Sequence, residues 1–83
     1  MAVEVRLFGF GGIRPKGFHD SDIARFDIAT PTSPRALLNH LEIDDATGMV
    51  MMRRERLLPQ TQWDQPVIAD GERITLMWAI EGG

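Results

Sequence analysis

Hydrophobic and polar positions alternate over residues 3 to 8. Val3, Val5 and Leu7 fall on one side, with Glu4, Arg6 and Phe8 on the other. A period of two in a run rich in branched residues predicts a strand buried on one face. Phe8 is then an aromatic residue on the polar side. Gly9, Gly11, Gly12, Pro15 and Gly17 interrupt regular structure and predict a flexible connection. Alternation resumes over residues 23 to 29, with Ala24, Phe26 and Ile28 opposite Arg25 and Asp27. This second strand is expected to run antiparallel to the first. Ser33 followed by Pro34 opens a helix, because serine caps an orphan backbone N–H and proline fits the first helical position. Leu37, Leu38 and Leu41 share one face of that helix, which is expected to end between Glu42 and Asp45.

Gly48 opens a third strand through Met49, Val50, Met51 and Met52, with a turn over Arg53 to Arg56. Leu57 and Leu58 begin a short return strand that Pro59 ends. Residues 60 to 65 form an irregular link in which Trp63 buries its ring and needs a partner for its indole N–H. Asp70-Gly71 signals a turn. In the last strand Ile74, Leu76, Trp78 and Ile80 face one way, and Thr75, Met77 and Ala79 the other. Short strands around one central helix predict an α+β domain, with the helix across a single sheet and the first and last strands side by side in its middle.

The chain of 83 residues is expected to form one domain, residues 1 to 83, with a flexible tail over residues 80 to 83. Hydrophobic residues make up 43% and charged residues 25%, a balance that excludes a disordered or collagen-like chain. Apolar runs are too short to span a bilayer and no leader opens the chain, so a cytoplasmic protein without membrane contact is expected. There is no cysteine, which removes disulfides, thiolate metal sites and a cysteine nucleophile together. His19 and His40 are the two imidazoles, too few for a His-rich metal cage. A net charge of −3 argues against a nucleic-acid partner. Arg53, Arg54 and Arg56 form the one basic cluster, either a solvated turn or a docking patch for an acidic partner. The methionines of the third strand read as adaptable core filling rather than a cofactor box. The glycines after the first strand do not make a nucleotide loop: Arg14 replaces the last glycine of a dinucleotide fingerprint, and Pro15 obstructs a helix. No nucleophile, base and orienter converge, so no catalytic residue is nominated.

The chain closes on Glu81-Gly82-Gly83. Glycine contributes no packing and costs conformational entropy, so a terminal pair has either a frayed end or a purpose. Without Cβ atoms the stem is thin enough to thread a narrow cleft. About four residues beyond the last packed side chain reach roughly 13 Å, enough to place a carboxylate in another protein's active site.

From Arg53 onward the chain resembles the ThiS/MoaD sulfur carriers, the ubiquitin-like β-grasp proteins of thiamine and molybdopterin synthesis. Pro59, Gln62-Trp63, Asp70-Gly71-Glu72-Arg73-Ile74, Leu76, Ile80 and Gly82-Gly83 carry the likeness. Val5, Leu7, Phe8 and Gly9 and the long stretch from Gly9 to Asp22 are similar to the MoaD branch, and the Leu37-Leu38-x-x-Leu41 helix core suits both branches. The resemblance implies a β-grasp fold: a mixed sheet of about five strands with one helix packed across it. Two features depart from the family pattern. Arg54-Glu55 replaces the Asn-Gly common after the third strand, so a tight primed turn is not expected there, and Glu72 replaces a second aspartate.

The resemblance also implies a carrier without catalytic residues or a bound cofactor, monomeric when free. A ubiquitin-activating-type adenylating enzyme would use ATP to join AMP to the Gly83 carboxylate. Sulfur from a persulfide donor protein would then give a thiocarboxylate, which a thiazole or molybdopterin synthase type of acceptor would consume. Gly82 and Gly83 are the reacting end, and Ile80 and Glu81 just before them are expected to bind the partner. Phe8 and Met77, placed away from the helix, are expected to form a partner-binding patch together with Met51. The alternatives are a protein modifier conjugated to lysines through Gly83, and a β-grasp interaction module whose glycines are incidental.

Overall fold

The computed structural model describes residues 2–10, 14–18, 21–44 and 48–78. Five strands run in the order β1 (Ala2–Phe8), β2 (Ile23–Asp27), β3 (Met49–Arg53), β4 (Arg56–Leu57) and β5 (Arg73–Trp78), with one helix, α1 (Pro34–His40), between β2 and β3. They form one mixed sheet in the spatial order β2-β1-β5-β3-β4. The first and last strands are central and parallel, with Val5 beside Ile74, Leu7 beside Leu76 and Phe8 beside Met77. β2 flanks β1 and β3 flanks β5, both antiparallel, and β4 is a two-residue edge. This is the β-grasp, ubiquitin-like fold.

Period-two alternation decides the core. Val3, Val5, Leu7, Ile74, Leu76, Met49, Met51 and Phe26 are buried, and Leu37, Leu38 and Leu41 of α1 are buried with them. A helix of seven residues is too short to hold itself in water, so this apolar seam is what keeps it helical. Its ends are capped. The Ser33 side-chain oxygen accepts from the Ala36 N–H at 3.1 Å, and Pro34 occupies the first turn. The helix closes at Leu41, earlier than the expected Glu42 to Asp45, because Glu42 is left-handed at φ 60°. The Ile43 N–H donates to the Leu38 carbonyl and the Glu42 N–H to the Asn39 carbonyl, which is the Schellman pattern. Glycine usually marks that position, and glutamate conceals the stop.

Trp63 behaves as its chemistry requires. Its ring is buried, and its indole Nε1–H donates to the Leu58 carbonyl at 3.0 Å. The Asp70-Gly71 turn is tied to the start of β1: Asp70 Oδ1 accepts from the Ala2 N–H at 2.7 Å, and the Gly71 N–H donates to the Ala2 carbonyl at 2.7 Å. Two aromatic residues of the β1–β2 connection also belong to the core. Phe10 meets Trp78 edge-on at 5.3 Å between ring centroids, and Phe18 lies 5.4 Å from Phe26. The described part of this glycine-rich stretch is therefore a cover for the core as well as a connection.

One expectation is corrected at the β3–β4 hairpin. Arg53 pairs with Arg56, leaving a two-residue loop, and both loop residues are left-handed, Arg54 at φ 54° and Glu55 at φ 63°. Positive φ at both central positions is the type I′ requirement, which suits the right-handed twist of the flanking strands. The primed turn forms without Asn-Gly because the twist dictates it. A Cβ in that region costs about 1–2 kcal/mol per residue. Glu55→Gly is thus expected to raise stability by up to about 1 kcal/mol, the loss of steric strain exceeding the added chain entropy. Urea denaturation of the two chains measures the difference.

Candidate functional site

The sheet has one face under α1 and one face open. In β1 the outward residues are Glu4, Arg6 and Phe8, and in β5 they are Arg73, Thr75 and Met77. Phe8 and Met77 are adjacent across the central parallel pair, 51% and 40% exposed. The structure brings these two expected residues together.

Met51 is not with them. It is fully buried and stands opposite Leu76, whose side chain faces α1. The outward residues of β3 are Val50, opposite Met77, and Met52, between Thr75 and Leu57. The run Met49-Val50-Met51-Met52 is apolar throughout, so its alternation carries no phase. Only pairing with β5 decides which residues turn inward. The open face therefore has two apolar rows, Phe8–Met77–Val50 and the interrupted row Ile23–Arg6–Thr75–Met52–Leu57. Ile23 and Leu57 are exposed and were not expected in the patch. Both could have been found from register alone, since Ile23 lies opposite Arg6 and Leu57 opposite Met52.

Charge borders this face. Glu4 and Arg73 sit side by side with Oε2 and Nε 2.7 Å apart. Glu72, nearly buried, accepts from the Ala69 N–H at 2.9 Å through Oε1 and brings Oε2 to 3.4 Å from Arg54 Nε. The hollow between the border and the apolar rows is lined by Arg6, Phe8, Met52, Thr75 and Met77 among others. It is shallow and open, a shape suited to another protein's surface rather than to an engulfed small molecule.

Ile80, Glu81, Gly82 and Gly83 lie outside the described residues, which end at Trp78. The surroundings of Trp78 are well defined. It continues the inward row of Ile74 and Leu76, and its ring contacts Phe10. Gly9 has φ +77°, and a Cβ there would lie 2.7 Å from the Trp78 carbonyl oxygen. Gly9 is thus required twice, for its backbone angle and for its closeness to the end of β5. This point lies directly beside the Phe8–Met77 pair.

Neither a family model nor a curated protein matches the chain. Among solved structures, SAMP1 from Haloferax volcanii superposes over 100% of both chains with a TM-score of 0.63 at 14% sequence identity. That likeness defines the class of protein by its fold, a ubiquitin-like β-grasp domain. Among the described residues, no helix is long and apolar enough to cross a membrane.

Gly9 and Gly71 separate two effects of an added Cβ. Both have positive φ, but around Gly71 nothing lies within 4 Å. Gly71→Ala is expected to cost about 1–2 kcal/mol from backbone strain alone. Gly9→Ala should cost clearly more and should move the Trp78 amide resonance. Denaturation midpoints and amide spectra of the two variants check both statements.

Proposed function

We propose that this protein is a sulfur carrier whose reacting atom is the Gly83 carboxyl carbon. The observation that carries the reading is that Gly82 and Gly83 follow four and five residues after Trp78, where β5 ends beside the exposed pair Phe8 and Met77. A stem of five residues reaches about 17 Å when extended. It is long enough to enter a partner's active site while the open sheet face rests on that partner's surface. The ubiquitin-like fold supports activating-enzyme partners in general.

A carboxylate repels nucleophiles and has no good leaving group. A ubiquitin-activating-type enzyme would attach AMP from ATP to Gly83, with release of pyrophosphate. A persulfide sulfur from a donor protein then attacks the carbonyl carbon, and AMP departs. Cleavage of the sulfur–sulfur bond by a thiol leaves a thiocarboxylate, a nucleophile that remains ionised near neutral pH. A synthase of the thiazole or molybdopterin type consumes that sulfur. The protein contributes no acid, base or metal to any step. It is a co-substrate, and its sulfur rides on the backbone terminus, which suits a chain without cysteine.

A second reading is favoured by one observation. The fold neighbour SAMP1 is a ubiquitin-like small archaeal modifier, and the same activated glycine would form an isopeptide with a lysine amine. Intact mass separates the two. A free protein heavier by about 16 Da carries sulfur in place of oxygen. A ladder of large conjugates, with no such free species, identifies a modifier. The patch is tested separately by Phe8→Ser with Met77→Ser. Both side chains are substantially exposed, so stability should change by no more than about 0.5 kcal/mol per site while retention by the activating enzyme falls. Unfolding of the double variant would mean that the pair is core.

A further inference from the structure

The Arg53, Arg54 and Arg56 cluster is not used by the tail chemistry. The fold places all three at the tip of the β3–β4 hairpin. Because Arg53 stands opposite Ile74 while Met49 stands opposite Trp78, this tip is at the far end of the sheet from the tail exit. With Leu57, Pro59 and Gln62 the three arginines surround a shallow cavity of about 380 Å³, and no acidic side chain lines it.

Three contacts pre-arrange the cations. Arg53 donates to the Val67 carbonyl and lies 3.8 Å from Glu72 Oε2, and Arg54 Nε lies 3.4 Å from the same oxygen. The Glu72 side chain is only 9% exposed, so it steadies the two guanidiniums from below, while Arg54 stays 74% exposed and Arg56 is also exposed. Leu57, next to Arg56 at the edge of the open face, is 63% exposed, more than any other large hydrophobic residue among those described. The turn itself holds Arg and Glu left-handed where Asn-Gly would fit without strain. Strain of that kind collects where side chains have a task besides folding.

We propose that the hairpin tip docks an acidic segment of a protein partner, with Asp or Glu carboxylates on Arg54 and Arg56 and an apolar side chain against Leu57. Guanidinium groups bind carboxylates in paired, directional hydrogen bonds, and an exposed leucine among them supplies the apolar anchor. Charge selects a short peptide over a nucleic acid. Glu4, Asp70 and Glu55 line the adjoining open face, and the whole chain is net −3. A long phosphate backbone would have to cross Glu4 and Asp70 as well, whereas a brief acidic segment on Arg54 and Arg56 has only Glu55, the other turn residue, between them. The inference does not rest on sulfur transfer, since the tip and the tail are at opposite ends of the sheet.

The test is an amide NMR titration of the full chain with a synthetic peptide of alternating Asp, Glu and Leu. Its Asn/Gln/Leu counterpart and an oligothymidylate of similar length are the controls. The expected result is saturable shifts centred on residues 53 to 58 that weaken with added salt. Binding should fall at least about tenfold in Arg54→Glu with Arg56→Glu, and less than about twofold in Arg25→Glu on the opposite edge strand. Unchanged resonances elsewhere show that the charge-reversed chain is folded, and Arg56→Gln alone should give a smaller loss in the same direction. Absence of saturable shifts, shifts spread evenly over the other arginines, or equal binding of the neutral peptide would overturn the proposal. Equal or tighter binding of the oligothymidylate would replace it with a phosphate surface.

Discussion

The parallel pairing of β1 with β5 is the constraint on which the rest of the molecule depends. These strands come from the two ends of the chain and meet at the centre of the sheet. Inward, the pairing sets Val5 against Ile74 and Leu7 against Leu76, all buried beneath α1. Outward, the same register sets Phe8 against Met77. A slip of one residue would exchange the two faces along the whole strand. One register therefore fixes the hydrophobic core, the composition of the open face, and the position from which residues 79 to 83 continue.

The proposed carrier role divides the work between the sheet surface and residues 79 to 83. In that role the sheet presents a surface and a departure point, and its side chains would need to do no chemistry. Gly9 lets β1 pass close to the Trp78 carbonyl, which locks the departure point to the apolar pair beside it. An acyl group carried on Gly83, as proposed, would avoid the demands of a catalytic site, which must hold several groups within fractions of an ångström. A small core can support a carrier of this kind, because precision is left to the partner enzyme. The hairpin tip at the other end of the sheet adds a second, charged contact point. A partner engaging both would read the domain along the full length of β5.

Much of this was legible in the sequence where a pattern had a single solution. The alternation of Val3, Val5 and Leu7 has one buried phase, as does that of Ile74, Leu76 and Trp78, and Ser33-Pro34 admits one role. Trp63 announced its own hydrogen bond, and Asp70-Gly71 its turn. The failures came where local chemistry is silent and tertiary pairing decides. Met49-Val50-Met51-Met52 has no polar residue to set its phase, so only pairing with β5 shows that Met51 turns inward and Met52 outward. Arg54-Glu55 and Glu42 adopt left-handed angles imposed by strand twist and by helix closure, without the glycine that normally advertises them. Phe10 and Phe18 were concealed by the glycines around them. On the open face Phe8 and Met77 were legible, while Ile23, Val50, Met52 and Leu57 emerge only from the cross-strand rows.

Charging of the terminal carboxylate is the central claim, and ATP–pyrophosphate exchange measures it most directly. The assay pairs the native chain, and a chain extended by one residue past Gly83, with the ubiquitin-activating-type enzyme of the same cell. A Gly83 carrier supports exchange as the native chain and loses it when extended, because the reacting carbon is displaced from the cleft. Equal exchange by the extended chain, or none by the native one, would contradict it.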